Sequence, residues 1–237
     1  MTQSFKDAFR LYTGKFEGVF LLSLTIVLPL IVVNWLINNV VYFFVFNDFT
    51  SALADFYYIF LTFLILMVAQ IPFIQLVKSY SETGEYQFKT IYYVFITTAF
   101  SVFVFAAIYS FLIAIGTLLF IIPGLIFMTF FFTTPHEAIV ENKSVWKSWK
   151  TSFHFAKKKF FPLLIMILFI SIVEVIIGWI GMYIIYSITN SLLAQIVIQM
   201  FLNLLIFPFL SIWVTYYFIL WKEQNQLTKQ LDVSIGS

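Results

Sequence analysis

The chain has 237 residues, of which 62% are hydrophobic and only 10% charged, with a mean hydropathy of +0.99. A water-soluble domain carries roughly 25% charged residues, so this composition excludes one and predicts an all-α polytopic membrane protein facing hydrocarbon. The formal net charge is +2 and cysteine is absent, which excludes a folded basic domain for nucleic acid, disulfides and thiolate metal sites.

Residues 1–18 come first as an amphipathic segment. Phe5, Phe9, Tyr12 and Phe16 fall at i, i+4, i+7 and i+11, on one helical face, with Lys6, Asp7, Arg10 and Thr13 away from it. This pattern predicts a helix lying in the membrane interface, rings toward the acyl chains and cations toward headgroups. Six apolar stretches follow, near 19–43, 56–77, 91–115, 118–133, 161–188 and 193–221, and 222–237 form a cytoplasmic tail. Most reach the ~20 residues that cross ~30 Å of hydrocarbon. The first is too long for a signal-peptide core and has no small-residue cleavage site after it, so it reads as a retained span. The stretch 118–133 is the weak one. It follows Gly116 and contains Pro123–Gly124, which predicts a bent or partly re-entrant helix. The connections Asn47–Asp55, Gly116–Thr117 and Thr189–Ser191 are short, so the six spans group as three antiparallel hairpins in one membrane domain.

All 13 lysines and arginines lie in four of the seven intervening segments: 1–18, 78–90, 134–160 and the stretch after Trp221. These alternate with three segments that have none. The positive-inside rule then places both termini in the cytoplasm of a cell membrane, with the lipid bilayer and anionic headgroups of the cytoplasmic leaflet as partners. Before the fifth span, Trp146, Trp149, Phe153 and Phe160 repeat the interfacial pattern beside Lys143, Lys147 and Lys150. Two readings stay open there: a generic interface anchor, or a headgroup site formed by Lys147, Lys150, Lys157, Lys158, Lys159, Trp146 and Trp149. Phe16, Phe88 and Phe160 also recur every 72 residues, each just before an odd-numbered span. Ser4-Phe5-Lys6 lines up with Ser148-Trp149-Lys150, so the hairpins read as a candidate repeat.

Glu174 is the only acidic or basic side chain inside a span. A charge there costs at least ~2.5 kcal/mol on insertion scales, so it is expected to face the bundle and find a partner. Counted from the cytoplasmic ends, Asn34 and Asn203 lie at similar depth, and Gln195, Gln199 and Asn203 form an i, i+4, i+8 stripe. The expectation is a buried cluster of Glu174, Asn34, Asn203 and Gln199, with Asn38 beside it. It would serve either interhelical hydrogen bonding or a proton- or substrate-linked site.

No catalytic or metal constellation is legible, and no cofactor is expected. His136 and His154 form no His-Glu-x-x-His pair, and Thr13-Gly14-Lys15 lacks the upstream glycine of a phosphate loop. Glu137 and Glu141, at i, i+4, read as a hydrated cytoplasmic cap.

The ordered string Gly116-Thr-Leu-Leu-Phe-Ile-Ile-Pro123-Gly124, Thr134-Pro135, Ile139-Val-Glu141, then Ser144 to Lys159-Phe160 resembles a family of bacterial and archaeal polytopic membrane proteins. Its best-named relative is the membrane domain that accompanies some glycerophosphoryl diester phosphodiesterases. Asn142 stands where that family usually has glycine. The resemblance implies a membrane domain without its own active site, since in fused relatives the chemistry belongs to a separate soluble barrel. The expected function is a non-enzymatic scaffold, lipid-interacting or accessory component of membrane or envelope physiology. The alternative is a small transporter or exporter of a lipid or amphiphile, using Glu174 and the broken fourth helix.

Overall fold

The structure, a computed structural model, describes residues 1–45 and 51–235. Among these residues there is no strand. The helices are α1 (Thr2–Gly14), α2 (Phe16–Leu22), a π turn (Ser23–Val27), α3 (Leu28–Phe44), α4 (Ser51–Ala69) and α5 (Ile71–Thr83). They continue as α6 (Phe88–Leu119), α7 (Ile121–Phe131), α8 (Thr134–Val140), α9 (Val145–Lys158), α10 (Phe160–Ile188) and α11 (Leu192–Ile235). Asn47 and Asp48 of the first expected external connection, and Gly236–Ser237 of the tail, lie outside the described residues.

Five helical stretches are long and apolar enough to cross a membrane: Phe16–Phe44, Ala52–Thr83, Phe88–Leu119, Phe160–Ile188 and Leu192–Leu227. The expected span 118–133 is the exception. α6 runs on to Leu119, so Gly116 and Thr117 are helical rather than a turn, and the chain reverses at the extended residue Phe120. α7 then has 11 residues, roughly 16 Å of rise against the ~30 Å of a hydrocarbon core. It is separated from α8 at Phe132 and Thr133 because Pro135 has no N–H to offer the carbonyl of Phe131. α11 continues through Lys222 to Ile235, so the described part of the expected tail is helical.

The consecutive hairpins α3–α4, α6–α7 and α10–α11 each pack against themselves, and α4 joins α6. Two glycines set the closeness of the middle hairpin. A Cβ on Gly124 would meet the Thr117 hydroxyl and lie 3.0 Å from the Thr117 backbone nitrogen; one on Gly116 would lie 3.0 Å from the Gly124 nitrogen. Only the missing side chains allow that approach. The α4–α5 stretch forms the centre, with Phe73, Ile74, Leu76 and Val77 fully buried. Phe100, Phe161, Trp179 and Tyr183 stay exposed on the outside, a surface that suits hydrocarbon and not water.

Prolines lie close to two backbone carbonyls that accept side chains from other elements. Pro72 opens α5 after Gln70, whose carbonyl accepts the Ser211 hydroxyl at 3.4 Å. Leu205, three residues before Pro208, accepts the Tyr12 hydroxyl at 2.8 Å, which docks α1 on the middle of α11. The π turn ends at Leu28, just before Pro29, where the i, i−4 ladder loses a donor.

Two of the three candidate repeat units share a backbone kink, which the middle unit lacks, its Gln87 being extended. Lys15 (φ −127°, ψ 31°) and Lys159 (φ −125°, ψ 33°) make the same kink between an amphipathic helix and a long apolar one. Each amide closes onto the residue four before it, Leu11 at 2.9 Å and Phe155 at 2.8 Å. The aligned positions Ser4, Ala8 and Leu11 in α1 and Ser148, Ser152 and Phe155 in α9 are buried in both. Phe88 likewise opens α6, and Val19, Ile91 and Leu163, three residues into each unit, are all buried.

Candidate functional site

The basic end of the bundle is organised around α8, whose residues Thr134 to Ile139 are all buried. α5, α9 and α11 pack on it. The Glu137 side chain is 1% exposed, with Lys222 Nζ 2.5 Å from its Oε2 and Lys143 Nζ 3.3 Å from its Oε1. Glu141 shares both lysines, at 2.6 Å and 3.4 Å. The two carboxylates therefore close a network of four charges, and Glu137 is not part of the hydrated cap expected from its i, i+4 spacing. The hydrogen-bonded Lys222 ammonium holds the Glu141 carboxyl below the usual carboxylate range, against the burial that would raise it, and Lys143 adds to the effect. Burial alone would lower the Lys143 ammonium, but Glu137 and Glu141 outweigh it and the net shift is upward. His136, wholly buried beside this network, is pushed by burial from 6.5 down to about 3, with the Ser211 and Phe132 backbones opposing only part of that shift.

The turn after α8 explains Asn142. Its φ is +51°, the left-handed region where glycine is the default and asparagine the best-tolerated substitute. The Lys143 amide reaches the Ala138 carbonyl at 2.8 Å and the Asn142 amide reaches Ile139 at 3.3 Å, a Schellman ending. Lys78 from α5 completes it, donating to the Ile139 carbonyl at 2.8 Å and to Asn142 Oδ1 at 2.9 Å.

α9 turns Val145, Ser148, Ser152, Phe155 and Ala156 inward, and the Ser152 hydroxyl meets that of Thr133 at 2.8 Å. Its aromatic flank packs sideways on the bundle: Trp146 on Phe105, Trp149 on Phe131 and Phe153 on Phe130, with centroids 6.0, 6.4 and 4.8 Å apart. The lysines expected to share one headgroup site diverge. Lys158 lines a polar cavity of about 320 Å³ together with Lys143, Lys222, His154, Glu137 and Glu141. Lys159 lines a separate cleft with Met1, Gln3 and Trp221. Lys147, Lys150 and Lys157 are exposed, with Lys150 Nζ 5.8 Å from the Trp149 ring centre. Lys222 was absent from the sequence-level set. The signal was there: two carboxylates on one face of a mostly apolar helix require countercharge, and Lys222 ends the last apolar run.

At the other end, Asn34, Asn38, Gln195, Gln199 and Asn203 line an open groove of about 460 Å³ between α3 and α11. Asn38 Nδ2 donates to the Asn34 carbonyl and to Asn34 Oδ1, both at 3.0 Å. Glu174 does not line this groove, and among the described residues it has no hydrogen-bond or ion-pair partner. It is half-buried one turn from Gly178, where an added Cβ would lie 3.1 Å from Gln199 Oε1. The amides thus converge as expected, and the carboxylate stands beside them rather than among them.

Among the described residues no three His, Asp or Glu side chains gather as metal ligands. No family model, curated protein or solved structure matches the chain.

Proposed function

We propose that this chain is a cytoplasmic-membrane protein with both termini inside the cell, acting as a non-enzymatic scaffold whose basic face engages anionic lipid headgroups. One observation carries the reading. The cavity beside α9 is lined by three lysines against two carboxylates, and exposed lysines of α9 flank it among ring-bearing side chains suited to an interface. A phosphate at this mouth meets Lys158, the one lining lysine outside the carboxylate network, and gains from His154 beside it. The α7–α8 break supports a membrane pass in two pieces, which returns the chain to the basic end with α8 clamped in protein. This arrangement is compatible with the resemblance to phosphodiesterase-associated membrane domains and needs no active site.

The test reconstitutes the protein in nanodiscs of phosphatidylcholine with or without phosphatidylglycerol. Anionic lipid is expected to raise the unfolding temperature and to co-purify in native mass spectra, and Lys157→Gln with Lys158→Gln to remove most of that gain. Equal behaviour in the two lipids would sink the reading. Orientation follows from single-cysteine variants, which need no background removal because the chain has no cysteine. Lys147→Cys and Asn225→Cys are expected to react only from the cytoplasmic side.

A further inference from the structure

The rings of α1 form one side of a second groove, of about 460 Å³. Phe5, Phe9 and Tyr12 make that wall, α10 supplies the opposite wall through Val173 and Ile177, and α11 the floor through Leu205. The Tyr12 hydroxyl is the only polar side-chain atom among the lining residues, and it is committed to the Leu205 carbonyl at 2.8 Å. The groove therefore offers no hydrogen bond or countercharge to a polar ligand. Charges do stand nearby. Glu174 follows Val173 but does not line the groove, and Asp7 and Arg10, away from the ring stripe, pair with each other at 3.3 Å.

Contacts within the protein fix the walls. Phe5 packs edge-on against Phe209 and Trp213, with ring centroids 5.7 and 5.1 Å apart, and Phe169 of the opposite wall meets the same Trp213 at 6.3 Å. The two walls thus converge on a buried ring, on the side of Phe209 toward Lys222. Beyond Trp213 the lining turns polar, with Gln3, Tyr217 and Lys159 along a cleft between α1, α11 and the start of α10. Polarity therefore falls from the basic end into the bundle, in the order of a lipid's head and tail. Both α10 and most of α11 belong to stretches long and apolar enough to cross a membrane, so the medium beside the groove is hydrocarbon. Rings on an amphipathic helix at such a boundary face acyl chains. The volume also falls within the ~300–1,000 Å³ of small-molecule sites.

We propose that this groove holds one acyl chain of a phospholipid from the leaflet at the basic end and retains it against exchange with the surrounding bilayer. The chain lies over Leu205 between α1 and α10, touching protein on three sides, and the headgroup lies toward Lys159. On the outer face of α10, where Ile172, Ile176 and Trp179 are exposed, a chain meets a single convex helix and gains fewer van der Waals contacts. This rests on the membrane reading of the chain and not on the cavity of Glu137 and Glu141.

The test uses the full-length protein in nanodiscs of phosphatidylcholine doped with a phosphatidylcholine that carries a diazirine in one acyl chain. This probe has no net charge, so the groove and the anionic-headgroup reading can fail separately. After illumination, crosslinks are expected to concentrate at residues 5–12 and 202–209, at low probe fraction, above those at Ile172, Ile176 and Trp179. Val173→Trp and Ile177→Trp, made separately, fill the groove from the α10 wall and are each expected to cut that labelling roughly threefold or more, because the chain loses its three-sided contact. Ile176→Trp, on the outer face of the same helix, should leave it unchanged, and all three variants should unfold at the wild-type temperature. Labelling of 5–12 and 202–209 no stronger than that of the outer face, labelling unchanged in both filled variants, or an equal loss in Ile176→Trp would each overturn the proposal.

Discussion

Replacing Lys222 by methionine keeps the length of the side chain and removes the cation that sits 2.5 Å from Glu137 and 2.6 Å from Glu141. Glu137 is 1% exposed, so its charge would keep only Lys143, at 3.3 Å, whose own side chain is 48% exposed. Breaking a buried ion pair from one side costs about 3–5 kcal/mol, because the stranded charge has lost both water and partner. The remaining lysine and the 16% exposure of Lys222 put this case at the lower end, about 3 kcal/mol. For a chain of this size that corresponds to roughly 6–12 °C of unfolding temperature. The assay is thermal unfolding in detergent, followed by tryptophan fluorescence, across a cycle of wild type, Lys222→Met, Glu137→Gln and the double variant. Neutralising Glu137 in the Lys222→Met background is expected to restore about half of the loss, with a coupling above ~1.5 kcal/mol. A coupling below ~0.5 kcal/mol, or an unfolding temperature unmoved by Lys222→Met, would show that the network does not hold α11 to α8.

Gly124→Ala is expected to destabilise by about 1–3 kcal/mol, because the clash is with Thr117 backbone as well as its hydroxyl, and Thr117→Ala should recover only part of it. Gly18→Ala meets the Tyr86 ring instead, so Tyr86→Leu should rescue it almost fully; failure to rescue would move the cause elsewhere. His136 predicts a pH dependence. Its folded value near 3 lies below its ordinary 6.5, so the unfolded chain takes up the proton first as pH falls. Stability is fully present above pH 6.5 and declines toward 3, with a slope approaching about 1.4 kcal/mol per pH unit. His136→Phe should flatten that slope, and in a His154→Gln background the single labelled histidine should stay neutral by NMR at pH 5. Glu141 acts over a lower range: its stabilisation is present above the ordinary carboxylate value of 4.5 and lost as pH falls through its lowered folded value. Glu141→Gln should abolish that acid-side loss.

Much of this architecture was legible from local pattern. The amphipathic spacing of Phe5, Phe9, Tyr12 and Phe16 predicted α1, and Trp146, Trp149 and Phe153 predicted α9. Apolar run length located five spans, and the short link Thr189–Ser191 matched the α10–α11 turn. The 72-residue recurrence of Phe16, Phe88 and Phe160 marked the starts of α2, α6 and α10. The helix within the fourth stretch is shorter than its apolar run, because hydropathy cannot see where a helix ends when both sides of the turn at Phe120 are apolar. The amide stripe was correct as a stripe, while the position of Glu174 relative to it depended on the rotation of α10.

What the amino-acid order determined by itself was membrane-suited composition, the hairpin grouping, the clustering of cations and the two amphipathic helices α1 and α9. Each of these depends on neighbours within a few turns, where helical period and solvent preference suffice. Tertiary structure alone decided that Lys222 serves Glu137, that Lys78 closes the turn at Asn142, and that Asn38 and Asn203 share one groove. Those pairings join residues far apart in the chain, and they follow from how rigid helices rotate and pack against one another, which no local pattern encodes.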